Sequence, residues 1–196
     1  MSIIKVLCFS GSCRDGSLNQ ALAKEATRLA QSFGAQAQFA DLRSFNMPLY
    51  DGDLEAKSGL PQGAKEFKHL LTEHQAMIIA SPEYNSSISP LLKNAIDWAS
   101  RQESKDEEGL SAFKDKVALL LSASPGNLGG LRGLVHLRSI LGNIKVLVLP
   151  EQLSIPQASN AFAANGSLAD QAKQASLKGM LQKLLAVTSK LAVQSS

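Results

Sequence analysis

Cysteine is scarce in this chain: of 196 residues only Cys8 and Cys13 carry a thiol, and neither has a CxxC or metal-type partner. That excludes a disulfide framework and favours a reducing compartment, the cytoplasm. The three histidines, His69, His74 and His136, share no ligand spacing, so no metal site is expected. Long apolar runs are missing too. The opening run Ile3 to Phe9 falls far short of the roughly 18 residues of a membrane span. It also has no small-residue cleavage pattern, so no secretory leader is expected. Lys and Arg total 20 against 17 Asp and Glu, a formal charge of +3 spread along the chain. No basic stripe forms, which argues against nucleic acid as a partner. The small excess favours anionic partners such as phosphorylated cofactors. What remains is an ordinary globular composition long enough for one domain, residues 1–196, with no linker, repeat or low-complexity segment.

Strand and helix patterns alternate along the chain. The apolar, β-rich run Ile3–Phe9 ends at Ser10-Gly11, as a buried parallel strand does. Leu18, Ala21, Leu22, Ala26 and Leu29 then form a stripe with a 3.6-residue period. Ser17 and Gln20 give that helix a capping-box start, and Gly34 closes it. A strand over Gln36–Leu42 and a loop over 43–60 follow. A helix is expected over Pro61–His74, a strand over Gln75–Ala80 and a helix from Ser89-Pro90 to Arg101. Residues 102–111 read as a charged loop. The spacing then predicts a strand over Lys116–Ser122, a helix over Gly130–Leu141 and a strand over Ile144–Leu149. Residues 150–166 read as a loop and Ser167–Leu191 as a long amphipathic helix. Five strands separated by helices predict an α/β, three-layer parallel sheet with right-handed crossovers.

In such sheets ligands sit beyond the C-terminal strand ends, where strand order reverses. Three loops are therefore candidates. The first runs from Ser10 to Asn19 and includes Ser12, Cys13, Arg14, Ser17 and Leu18. It joins a strand to a helix N-terminus, which favours a phosphate, with hydroxyls and an arginine fork to add donors. Gly11 and Gly16 are spaced as in a P-loop, but Ser17 stands where the lysine belongs and no GxGxxG is present, so an NTPase is disfavoured. The second loop, Ser81 to Pro90, has prolines near both ends and the flat face of Tyr84, which suits a planar ring. The third, Ser122 to Gly130, has glycines that let main chain approach a bulky ligand. Taken singly, each loop also reads as a capped helix start or an ordinary turn.

The first loop's Gly11-Ser-x-Arg-x-x-Ser-x-Asn19 and the second loop's Pro82-Glu-Tyr-Asn-x-Ser-x-x-Pro90, followed by Leu92-Lys-Asn-Ala-Ile-Asp-Trp98, resemble the NADPH-dependent FMN reductase family over roughly Ile3 to Leu149. That family includes quinone, azo-dye and chromate reductases. The resemblance implies a flavodoxin-like fold with strand order 2-1-3-4-5. It implies FMN as cofactor and NADPH or NADH as electron donor, with hydride passing from nicotinamide to FMN and on to an acceptor. Ser12, Arg14, Ser17, Leu18 and Asn19 are then expected around the FMN phosphate. Pro82, Glu83, Tyr84 and Asn85 are expected at the isoalloxazine, with Ser124, Gly126, Gly129 and Gly130 on the ring's other side. Because the cofactor carries the chemistry, no catalytic side chain is expected. The favoured acceptor is a quinone, with free flavin, azo compounds and chromate as alternatives. A homodimer or homotetramer is implied, with FMN near the subunit interface. The competing readings are a flavodoxin-like electron carrier and a redox-sensing flavoprotein without NAD(P)H turnover. Arg101, at a helix end, is a lesser candidate for the NADPH phosphate.

Overall fold

Five short, largely apolar runs build the sheet of the computed structural model, which describes residues 3–194. The strands are β1 (Lys5–Ser10), β2 (Gln36–Ala40), β3 (Ala76–Ala80), β4 (Val117–Ala123) and β5 (Leu147–Ile155). All neighbours pair in parallel in the order β2-β1-β3-β4-β5. The helices are α1 (Leu18–Ser32), α2 (Gly52–Ser58), α3 (Gln62–Glu73), α4 (Pro90–Ala99), α5 (Leu131–Asn143) and α6 (Gln171–Gln194).

The two-residue strand period assigns side chains to two faces. Val6 and Cys8 of β1, Ile78 of β3 and Leu119 and Leu121 of β4 pack beneath α1 and α6, against Leu22, Ala26, Leu177 and Leu181. Leu7, Phe9, Met77, Ile79 and Leu120 pack on the other face with Phe67 and Leu71 of α3, Leu92 and Ala95 of α4, and Leu134 and Leu137 of α5. This is the three-layer, flavodoxin-like arrangement expected. The strand order reverses between β1 and β3, so the loops that follow them flank the switch point.

Three elements depart from the sequence reading. Within the segment 43–60, expected to be loop throughout, Asp51 accepts from the N–H of Asp53 (2.8 Å) and Leu54 (3.4 Å) and starts α2. Gly59, at φ +69°, ends it. None of the α2 residues is buried, so the helix has no apolar stripe to betray it. The last strand runs on to Ile155, through part of the expected 150–166 loop, with a bulge where the register shifts opposite Ala118 and Leu120. Arg138 fills the bulge, donating to the carbonyls of Leu149 (2.6 Å), Val148 and Pro150 (both 3.4 Å). Finally, α6 begins at Gln171 rather than Ser167, because Asp170 accepts from the N–H of Ala172 (2.9 Å) and Lys173 (3.2 Å).

The segment before α2 is docked from the second motif. Asn94 accepts from the Tyr50 N–H (2.7 Å) and donates to the Pro48 carbonyl (2.8 Å), which also receives the Trp98 indole N–H at 2.8 Å. Two of the motif's polar residues on α4 thus have a structural task.

Candidate functional site

The β1–α1 loop is laid directly on the β3–α4 loop. The Gly11 N–H donates to the Ala80 carbonyl (3.0 Å), and the Gly11 carbonyl accepts the Ser89 hydroxyl at 2.5 Å. A Cβ on Gly11 would stand 3.0 Å from the Leu92 Cβ and 3.1 Å from the Pro82 Cδ, so only glycine allows this approach without displacement. Ser89 also caps α4 by accepting from the Leu92 N–H at 3.2 Å.

Polar groups collect at the start of α1. Ser17 is its N-cap, accepting from the Gln20 N–H at 3.3 Å. The N–H groups of Leu18 and Asn19, the first two helical residues, have no acceptor among the described residues. They are the orphan donors that every helix start presents, and they favour negative charge. The hydroxyl of Ser12, a residue only 7% exposed, likewise has no partner among the described residues. Arg14 is exposed and folds over its own loop, donating to the carbonyls of Asp15 (3.3 Å) and Gly16 (3.5 Å).

Asn19 works differently from its loop neighbours. Its Nδ2 donates to the Ala123 carbonyl and its Oδ1 accepts the Ala123 N–H, both at 2.9 Å. The side chain is therefore a two-point clasp between the start of α1 and the end of β4, buried at both ends.

The β3–α4 loop contains a tight turn. Tyr84 and Ser87 exchange two backbone hydrogen bonds, at 2.9 and 3.0 Å, around Asn85 (φ +50°) and Ser86 (φ +66°). Two successive positive φ values define a type I′ turn, which explains an asparagine at the first position. Tyr84 projects from this turn half exposed.

Glu83 points the other way, toward α5. Its Oε2 accepts the N–H of Arg132 (2.9 Å) and Gly133 (3.2 Å), and its Oε1 accepts from Arg132 Nε at 2.7 Å. A second guanidinium nitrogen lies 2.5 Å from the same Oε1, so the guanidinium converges on one oxygen while the backbone N–H groups hold the other. Burial opposes the charge, but the Arg132 guanidinium and the N–H groups of Gly133 and Arg132 together hold the carboxyl below its ordinary value. The α5 N-cap is Gly130, which offers no side-chain cap, so Glu83 supplies that service from 49 residues away. Arg132 was not among the residues singled out from the sequence. The signal for it was a cation in a helix's first turn, where the dipole disfavours one unless an acid accompanies it.

The β4–α5 loop is shaped chiefly by packing. A Cβ on Gly129 (φ +62°) would lie 2.6 Å from the Pro156 nitrogen, and one on Gly130 (φ +90°) 2.9 Å from the Ser122 Cβ. Gly126 is open, with only the Ser124 hydroxyl near, at 3.6 Å. Ser124 donates its N–H to Ile155 at 3.1 Å and accepts the Gly126 N–H at 3.2 Å, which ties the loop to β5.

Two concavities meet at these loops. One, of about 140 Å³, is lined by Ser12, Arg14, Ser17, Leu18, Asn19, Pro82, Glu83, Tyr84 and Ser124, together with Ala123 and Pro125. The other, of about 340 Å³, shares Ser12, Arg14 and Tyr84 with it and reaches Cys13, Ser89 and Leu91. Of the residues expected from the sequence, Asn85, Gly126, Gly129 and Gly130 line neither. Two larger surface grooves lie elsewhere. One of about 480 Å³ starts at Ser17 and Leu18, which it shares with the smaller cleft, and runs away along α1 past Lys24 and Arg28, and one of about 780 Å³ lies beside Arg101. Neither collects the motif residues of the second loop. Chemically, the switch-point site offers unpaired backbone and hydroxyl donors at a helix start, beside an exposed aromatic face. That suits a phosphate joined to a planar ring, and its only buried acid is already engaged with Arg132.

The chain resembles known proteins along most of its length. Residues 4–160 match the profile of a family described as NADPH-dependent FMN reductase. An NAD(P)H-dependent FMN reductase of Pseudomonas aeruginosa is 38% identical over 182 residues, covering 92% of this chain and 93% of the relative. An NADPH:quinone oxidoreductase of Arabidopsis thaliana is 34% identical over 194 residues, covering 96% and 94% respectively. Among solved structures, FerB, a flavoenzyme NAD(P)H:(acceptor) oxidoreductase of Paracoccus denitrificans, superposes with a TM-score of 0.80 at 29% identity. That match covers 96% of this chain and 98% of FerB.

Proposed function

The chain belongs to the NADPH-dependent FMN reductase family, and we propose that the site at the β1/β3 switch point holds its FMN, with the phosphate on the start of α1 and the ring beside Tyr84. The protein is an NAD(P)H-dependent FMN oxidoreductase that reduces quinones or similar acceptors, as its relatives' activities support. The observation that carries the site assignment is the set of partnerless donors on one wall: the Ser12 hydroxyl and the N–H groups of Leu18 and Asn19. These donors line an open cleft at a helix start, and a phosphate seated there accepts from all of them at once. The residues present therefore fit the cofactor.

Bound FMN supplies the hydride chemistry between NAD(P)H and the acceptor. The chain's own part is positional. Ser12, Ser17 and the helix start take the phosphate, and Arg14, exposed beside them, adds a cation once it swings off its own loop. Pro82 and Tyr84 border the ring on one side and Ser124 on the other, with Asn85 and Gly126 behind them in the same loops. The Asn19 side chain, Gly129 and Gly130 act by fixing the loops, and Asn19 meets the phosphate through its backbone N–H alone. The open face beside Tyr84 admits flat acceptors, which supports a quinone.

The five strands form one sheet with helices on both faces, which supports reading residues 1–196 as a single cofactor-binding domain. No helix among the described residues is long and apolar enough to cross a membrane, and a cytoplasmic location fits that. Leu128, Leu131 and Val135 are exposed near the start of α5, which supports self-association of two or four copies near the site. The test is NADPH oxidation in the presence of a benzoquinone, with and without added FMN. FMN-dependent turnover is expected. FMN binding with no NAD(P)H oxidation would favour the electron-carrier reading instead.

A further inference from the structure

We infer that Glu83 is a positioning residue that sets FMN affinity through α5, without its carboxylate touching the cofactor. The inference rests on the placement of FMN proposed above. The Glu83 main chain lies between Pro82 and Tyr84, both of which border the cleft. Glu83 itself lines that cleft, and its carboxylate is fully engaged on two N–H groups of α5 and on the Arg132 guanidinium.

The two elements meet with no slack. A Cβ on Gly133 would lie 3.1 Å from the Ser87 carbonyl oxygen and 3.5 Å from the Glu83 Cα, so the turn carrying Tyr84 and Asn85 rests directly on the first turn of α5. His136, one turn further along, adds a second brace through Nδ1 to the Ser87 hydroxyl at 3.0 Å. The loop that borders one side of the ring is thereby bolted to the helix that follows the loop on its other side. Glu83 is the only side chain among the described residues that caps α5.

Removing the clasp frees the ring-side loop while leaving the phosphate donors in place. Its cost therefore falls on binding of the ring, and equally on FMN and on riboflavin. Glu83→Gln keeps an oxygen for the two N–H groups and loses only the ion pair. Arg132→Ala loses the same ion pair from the other side. These two substitutions are expected to act on one interaction and so not to add.

The experiment is flavin fluorescence quenching on apo-protein well below its melting temperature, with circular dichroism on every variant to establish folding. The wild type binding FMN is the first arm. Failure there overturns the site assignment and this inference together. Given wild-type binding, Glu83→Ala is expected to raise the Kd about tenfold or more for FMN and riboflavin alike, the scale of a lost charge-assisted hydrogen bond. Glu83→Gln and Arg132→Ala are each expected within about threefold of wild type, and the double variant no weaker than the poorer single one. A purely structural role predicts a lower melting temperature with an unchanged Kd in the folded protein, and that result overturns the inference while leaving the site assignment standing. Additive losses in the double variant, or a loss confined to FMN, overturn it as well.

Discussion

Replacing Asn19 with alanine removes both ends of the clasp between α1 and β4. The magnitude follows from the geometry. Two hydrogen bonds of 2.9 Å are lost, and the N–H and carbonyl of Ala123, itself 3% exposed, lose these partners in a buried setting. Stranding a buried polar group costs about 1–3 kcal/mol, so the pair amounts to about 2–6 kcal/mol. For a chain of this length each kcal/mol lowers Tm by about 2–4 °C, which gives a fall of about 4–24 °C in scanning calorimetry of the apo-protein. Asn19→Asp is expected to be no better. It retains an acceptor for the Ala123 N–H but turns a second carboxylate oxygen against the Ala123 carbonyl. FMN affinity should fall with stability, because the same clasp ties the phosphate loop to the β4–α5 loop. An Asn19→Ala protein melting within about 1 °C of wild type would refute the assignment of Asn19 as a structural clasp.

The glycines of the third loop separate packing from ligand approach. Gly129→Ala is expected to destabilise by several kcal/mol, because its Cβ would lie 2.6 Å from the Pro156 nitrogen at a positive φ. Gly126→Ala should leave the melting temperature within about 2 °C, and urea unfolding of the two variants side by side checks the contrast. Thiol titration with a chromogenic disulfide should find one reactive cysteine, Cys13, in the native protein. Cys8 is fully buried and its pKa is pushed up to about 12, so it should react only after unfolding. Two fast thiols would contradict the β1 burial described above. Burial lowers the Lys116 pKa to about 8 from 10.5, so the unfolded chain holds more protons than the folded one between those values and stability should rise with pH there. Cys8 acts in the opposite sense from pH 9 upward, since its thiol ionises only on unfolding. The Lys116 gain is therefore clearest between pH 8 and 9, about 1 kcal/mol in urea unfolding. Lys116→Met should remove that rise, and a variant that keeps it would refute the attribution.

Much of the fold was legible because burial writes a simple period. β1, β3 and β4 are largely apolar and bounded by turn residues, and α1 announces itself with Ser17 and Gln20. The misread parts lack that signal. In β5 the run Pro150-Glu151-Gln152 looks like loop. It sits on an edge strand at a bulge where Arg138 takes the carbonyls that a ladder would otherwise pair, and this is one of the few strand settings that tolerates proline. α2 buries nothing, so only its caps at Asp51 and Gly59 mark it, and Asp51-Gly52-Asp53 equally spells a turn.

The candidate site divides in the same way. Its location and its donors are local properties of a strand end and a helix start, and residue types spell them out. The tasks of Asn19 and Glu83 depend on partners 104 and 49 residues away, which no local pattern reveals. Gly129 and Gly130, expected beside the ring, are required instead by the crossing of β4, β5 and their loops.

The most direct test of the central claim is an anaerobic titration. The protein is reconstituted with FMN, freed of excess cofactor, and mixed with NADPH under argon while its visible absorption is followed. The flavin band is expected to stay with the protein and bleach on NADPH addition, then return when a benzoquinone is admitted. A band that is washed away with the excess cofactor, or one that remains oxidised in excess NADPH and NADH, would contradict the claim.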